Sequence, residues 1–161
     1  MSHNLKITNS LTRKKELFKP INSKEITMYA CGPTVYDNPH VGNARTLVVF
    51  DTLYRVLRMI YGENVTYVRN ITDVDDKIIE ISKLKKISIE KITLDITKIF
   101  HNDCISLNCL KPSKEPKATD HIEEMIKMTG SLINKKFALP SFVSIFIFRN
   151  LLNIFFLQLF I

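Results

Sequence analysis

The chain is poor in cysteine, with 3 among 161 residues. So small and odd a count argues against the paired framework that staples small secreted domains, and the polar N-terminal stretch offers no apolar signal segment. The expectation is a reducing compartment, the cytoplasm, with thiols that are free or metal-bound. A dense basic arm is missing as well. Lys and Arg total 23 against 16 Asp and Glu, a net charge of +7, yet the excess is scattered as single lysines and short runs such as Arg13-Lys14-Lys15 and Lys83 to Lys86. Such scatter excludes a DNA-wrapping tail but permits a polyanionic partner such as a nucleic acid; it is equally what a lysine-rich, AT-rich genome produces. With 45% hydrophobic and 24% charged residues, the length suits one globular domain or part of a larger one.

What is present begins with the stretch YACGPTVYDNPHVGN, Tyr29 to Asn43, which sets a thiol and an imidazole between two apolar runs. Ile26 to Cys31 reads as a strand ended by Gly32-Pro33. Asn43 is placed to cap a helix that carries Leu47, Phe50, Leu53, Tyr54, Leu57 and Ile60 at helical spacing, and Gly62 stops it. Val65 to Ile71 reads as a second strand. Strand, helix and strand within about 45 residues make a right-handed crossover in a parallel sheet, hence an α/β fold. The loop after the first strand then opens at the sheet's carboxyl edge, where ligands bind. Taken alone, Cys31 is more often a small buried hydrophobe than a ligand.

Beyond Ile71 the pattern is helical. Asp73, Asp75 and Asp76 stand where negative charge favours a helix start, and three carboxylates in four positions also suit a divalent metal. Ser88 is placed to cap a longer helix with Ile89, Ile92, Ile96, Ile99 and Leu107 on one side. Asp120 with Glu123 forms a capping-box pattern before Ile122, Met125, Ile126 and Ile133. Both apolar faces are expected in the core, and Lys111 to Lys117, with Pro112 and Pro116, is expected to link the two helices. From Pro140 to Ile161 there are 15 apolar residues, no acid and one charge, Arg149. Two readings stand for this tail: a membrane span, since about 20 residues suffice, or out-of-frame sequence from an AT-rich gene beginning near Leu139. The organisation expected is residues 1–80 as the first half of a nucleotide-binding domain, 81–139 as a helical connection, and 140–161 as the apolar tail.

Four motifs in order carry a resemblance: Asn9-Ser10-Leu11-Thr12-Arg13-Lys14-Lys15; Tyr29 to Asp37; His40-Val41-Gly42-Asn43-Ala44-Arg45-Thr46; and Tyr67-Val68-Arg69-Asn70-Ile71-Thr72-Asp73-Val74-Asp75-Asp76-Lys77-Ile78. From about Leu5 to Ala138 the chain resembles the amino-terminal part of bacterial cysteinyl-tRNA synthetases of class I. The resemblance implies a Rossmann-like parallel sheet, its first half here, followed by helices. It implies ATP-dependent ligation of L-cysteine to tRNA(Cys) through a cysteinyl adenylate, with ATP and Mg2+ as substrate. It also implies a zinc ion held in part by Cys31, whose open position takes the substrate thiolate and so separates cysteine from serine without an editing site.

By the same resemblance Cys31, Gly32 and Thr72 bind cysteine, while Thr34, Tyr36, His40, Gly42 and Asn43 bind ATP. His40 and Asn43 would be catalytic, Asn43 replacing the second histidine of the usual His-x-Gly-His signature. The other zinc ligands, a downstream cysteine, histidine and glutamate, are absent, and Cys104 and Cys109 read as structural. Lys127-Met128-Thr129-Gly130-Ser131 echoes the family's Lys-Met-Ser-Lys-Ser loop but lacks its fourth-position lysine and is read as a decoy that interrupts a helix. The expectation is therefore an incomplete cytoplasmic ligase, off the membrane, with a complementing downstream fragment as one partner. The alternatives are a catalytically inactive remnant, or a related ligase that joins cysteine to an amino sugar.

Overall fold

The computed structural model describes residues 4–140 and 145–147. The segments before Asn22 and after His121 form one unit, and Asn22–His121 forms another. In the first, β1 (Lys6–Asn9) and β2 (Lys14–Leu17) pair antiparallel, Lys6 opposite Leu17 and Asn9 opposite Lys14. Asn9 closes their turn: its side-chain oxygen accepts from the Leu11 N–H at 2.9 Å and its amide donates to Glu16 at 3.2 Å. Strands so polar carry no hydrophobic alternation, which is why the hairpin is invisible to a pattern reading.

In the second unit, Ile26, Met28 and Ala30 are buried while Thr27 and Tyr29 are exposed, the alternation of a strand covered on one face, β3 (Ile26–Ala30). Next comes α1 (Val41–Tyr61), then β4 (Val65–Arg69), which pairs parallel with β3, Ile26 opposite Val65 and Ala30 opposite Arg69. Leu47, Tyr54 and Leu57 are the buried face of α1, which packs on both strands, with the Tyr54 and Tyr67 rings 5.0 Å apart. Gly62 ends the helix at φ 66°, a conformation that glycine adopts without strain. The parallel strand–helix–strand unit expected from the sequence is present.

The helix starts elsewhere than expected. His40, not Asn43, is its N-cap, and Asn43 sits at the third helical position and closes the capping box from inside. Further on, α2 (Asp76–Lys85) is capped by Asp75, which accepts from the Lys77 N–H at 2.9 Å, and α3 (Ile89–Ser106) is capped by Ser88. Asp73 is buried and caps neither helix. Its carboxylate accepts from the Thr119 N–H at 3.0 Å and hydroxyl at 2.6 Å, holding a single 3-10 turn at Thr119–His121. Phe100 and Cys104 of α3 join Val35, Leu47 and Ile71 in the core, while Ile99 and Leu107, expected there, are partly solvent-facing.

The stretch expected to be a linker is a third strand in all but name. Lys114 N–H donates to Tyr67 O and Arg69 N–H to Lys114 O; Ile71 N–H donates to Pro116 O and Ala118 N–H to Ile71 O, all at 2.9–3.2 Å, parallel and on the side of β4 away from β3. Pro116 is tolerated because only its carbonyl is used. In the first unit α4 (Ile122–Asn134) runs unbroken through Gly130, so Lys127 to Ser131 does not interrupt a helix. Its apolar face is not core: Ile122, Met125 and Ile126 are exposed, Ile126 by 66%. Finally β5 (Ala138–Pro140) pairs antiparallel with β6 (Ile145–Ile147). The two readings of the tail fall mostly on residues outside those described. Among the described residues no helix is long and apolar enough to cross a membrane.

Candidate active site

Parallel pairing puts the exits of β3 and β4 on one edge of the sheet, and the loop that follows each strand meets the other there. Cys31 leaves β3 exposed, its thiol making one loose contact with the Gly32 carbonyl at 3.8 Å. Gly32 is pressed against the exit of β4: an added Cβ would lie 1.6 Å from the Asn70 carbonyl oxygen. Its N–H donates to Asn70 Oδ1 at 2.8 Å. Just beyond, Thr72 N–H donates to Pro33 O at 3.0 Å and Val35 N–H to Thr72 O at 3.1 Å, which sets Thr34 and Thr72 side by side. Val35, fully buried, anchors this loop in the core. Tyr36 carries the Lys77 ammonium 5.1 Å from its ring centroid.

His40 is held by the start of α1. Its Nδ1 accepts the Gly42 N–H at 3.0 Å, and Asn43 Oδ1 accepts the His40 N–H at 2.9 Å. An imidazole that accepts at Nδ1 carries its proton on Nε2, so the ring offers one outward donor. No acidic side chain occupies the first turn of α1, leaving the helix dipole open to an anion. Gly42 is packed by its own helix start: a Cβ there would come within 2.8 Å of His40 Cε1.

Two cavities flank Leu47. Cys31, Gly32, Pro33, Asn43, Thr46 and Arg69 are among the residues lining one of about 190 Å³; Pro39, His40, Val41, Ala44, Asp103 and Ser106 are among those lining the other, of about 250 Å³. The structure therefore brings Cys31, Gly32 and Asn43 to one cavity and His40 to its neighbour, with Asn43 bonded to His40 between them. Thr34, Tyr36 and Thr72 stand along the rim outside both linings. Among the described residues no three His, Cys, Asp or Glu side chains converge on a metal position. One thiolate does not make a tetrahedral zinc site, so these residues by themselves do not fit the ion.

A sequence model of the family described as tRNA synthetases class I (C) catalytic domain matches residues 17–151, running past Leu139 into the apolar tail. The chain belongs to this family. It is 56% identical over 139 residues to the cysteine–tRNA ligase of Pelagibacter ubique (strain HTCC1062), covering 86% of this chain and 31% of that protein. To the cysteine–tRNA ligase of Orientia tsutsugamushi (strain Ikeda) it is 60% identical over 131 residues, 81% of this chain and 27% of the other. With that of Wolbachia pipientis subsp. Culex pipiens (strain wPip) it shares 53% over 137 residues, 85% and 29%. The chain thus spans under a third of the length of these relatives.

Two side chains of the class I domain escape a reading of the sequence, Arg69 and Asn70, although both lie inside a motif that carries the resemblance. Arg69 is buried under the first cavity and donates to Glu115 Oε1 through Nε at 3.0 Å and Nη2 at 2.6 Å. Glu115 Oε2 lies 2.6 Å from His101 Nε2, and the guanidinium rests 4.8 Å from the Phe100 ring centroid. Burial opposes the Arg69 charge, and the Glu115 hydrogen bonds and nearby groups overcome it, holding the group above its ordinary value. Burial also pushes the Cys104 thiol up, against the pull of Arg69. Cys104 is buried in the core and Cys109 packs against it, the structural roles expected of them. The available signal was a charged and an amide residue at the end of an apolar strand, where the sheet opens.

Proposed function

We propose that the chain supplies the amino-terminal part of a catalytic domain that ligates L-cysteine to tRNA(Cys), acting in the cytoplasm with ATP and Mg2+. In the first step a carboxylate oxygen of cysteine attacks the α-phosphorus of ATP, the bond to the β-phosphate oxygen breaks, and pyrophosphate leaves. In the second, a terminal ribose hydroxyl of the tRNA takes the acyl group and AMP leaves. Positioning and charge stabilisation carry such a reaction. His40, through Nε2–H, and the exposed backbone at the start of α1 would stabilise charge on the phosphates. Asn43 fixes His40, Thr34 and Tyr36 border the nucleotide, and Cys31, Gly32 and Thr72 border the amino acid. Cys31 would give zinc one sulfur ligand of the several that such a site needs. The nucleotide-binding part of this arrangement draws on Ile26 to Lys85, and the helical stretch beyond it is broken by the strand pairing of Lys114 to Ala118 along β4.

The observation that supports this reading most is the state of His40: tied at Nδ1 by its own helix, donor outward, on a helix start free of acid. Titration of isotope-labelled chain with Mg-ATP tests it. Resonances of His40, Gly42 and Thr34 are expected to move, and His40→Ala to abolish the shift; a titration that leaves all three still would contradict the reading. The solitary Cys31 favours a second statement about the chain by itself, that it forms no cysteinyl adenylate without further ligands.

A further inference from the structure

We propose that Asn70 is the positioning residue for the Cys31 thiol, an inference that rests on the reading above for what the thiol is used for, though not for the contacts. Asn70 follows β4, and its one side chain reaches three groups. Oδ1 accepts from the Gly32 N–H at 2.8 Å and from the Tyr29 hydroxyl at 2.9 Å, while Nδ2 donates to Thr72 Oγ1 at 3.0 Å. A backbone N–H can only donate, so the atom facing Gly32 is the oxygen and the amide orientation is settled by its own partners. Residues Tyr29 and Gly32, which bracket Cys31, are thus pinned to a single oxygen atom. Among the described residues the thiol's one hydrogen-bond contact is the loose one with the Gly32 carbonyl, so its direction follows from how that turn is held.

The same amide sets the polarity of Thr72. Because Nδ2 must donate, the Thr72 oxygen accepts, and its hydroxyl hydrogen is left for an acceptor other than Asn70. The steric fit reinforces the bond: the Asn70 carbonyl sits where a Gly32 side chain would be, so the two strand exits have no slack between them. One side chain therefore couples the thiol-bearing turn to the threonine that stands beside Thr34 at the rim.

Asn70→Ala and Asn70→Asp in the 161-residue chain separate this role from bulk stability. The aspartate keeps acceptor oxygens for Gly32 and Tyr29; the alanine keeps nothing. Amide hydrogen exchange of Gly32 and iodoacetamide alkylation of Cys31, located by peptide mass spectrometry, are the readouts. Asn70→Ala is expected to speed Gly32 exchange about tenfold, the effect of losing one hydrogen bond of ordinary net strength, and to change the Cys31 alkylation rate. Asn70→Asp is expected to keep Gly32 protected. If alanine prevents folding, Asn70→Ser, too short to span Gly32 and Thr72, takes its place. Free-chain exchange at Gly32 in the wild type, no change in the alanine or serine variant, or equal loosening by aspartate would overturn the proposal. Exchange needs no substrate, so its failure leaves the ligase reading standing, and failure of that reading leaves these bonds intact.

Discussion

At Gly32 the fit is tighter than any side chain allows, and the constraint comes from backbone rather than from a movable neighbour. Gly32→Ala is expected to destabilise the chain by about 1–3 kcal/mol or more, the range for forcing atoms into a packed site, read as a lower urea midpoint. A variant as stable as the wild type would mean that the two strand exits are not in contact. Cys31 and His40 are legible in the sequence because rare residue types cluster in one short loop. Asn70 is not, because an asparagine at a strand end reads as a turn former, and only the fold reveals that its amide spans Tyr29, Gly32 and Thr72.

Elements are legible where hydrophobic periodicity is strong and misread where polar chemistry decides. The alternation in β3 and the apolar stripe of α1 point directly to the parallel unit. The cap of α1 lies at His40 instead of Asn43, since asparagine serves as well at the third position by accepting from the cap's N–H. Lys111 to Lys117 reads as a linker because Pro112 and Pro116 disguise the strand pairing of Lys114 to Ala118, which uses one proline carbonyl. The face of α4 is amphipathic, but periodicity says that a face is apolar, not what covers it. The third strand also rests on Arg69 and Glu115. Glu115→Gln leaves the buried guanidinium without its carboxylate and is expected to cost about 3 kcal/mol, the scale for removing one partner of a buried pair. Arg69→Met in the same chain is expected to recover part of that loss. Thermal denaturation of the single and double variants checks both, and additive losses would show that the two side chains are not coupled.

Over the whole molecule, burial raises the acid groups of Cys104, Cys109, Tyr29 and Tyr67 above their ordinary values of 9.0 for the thiols and 10.0 for the phenols. The folded chain therefore holds these protons more tightly than the unfolded one. Their contribution to stability is complete below the ordinary thiol value and is lost as pH rises through the raised folded values. Urea midpoints are expected to fall as pH rises above the ordinary thiol value of 9.0, and Cys104→Ala to flatten that fall. A midpoint that rises with pH over this range would contradict the sign.

The rim carries a thiol, a donor-outward imidazole and their backbone supports, yet among the described residues no group of three metal-binding side chains. As proposed above, this rim would be one part of a cysteine-activating centre. The most direct test replaces the corresponding amino-terminal part of the Pelagibacter ubique cysteine–tRNA ligase, 56% identical, with residues 5–138 of this chain and measures cysteine-dependent ATP–pyrophosphate exchange. Exchange by the chimera is expected, with none by the 161-residue chain alone and a loss of about 10²–10³-fold when His40 or Cys31 becomes alanine, the scale for removing one preorganised stabilising group. An inactive chimera, or one indifferent to both substitutions, would contradict it.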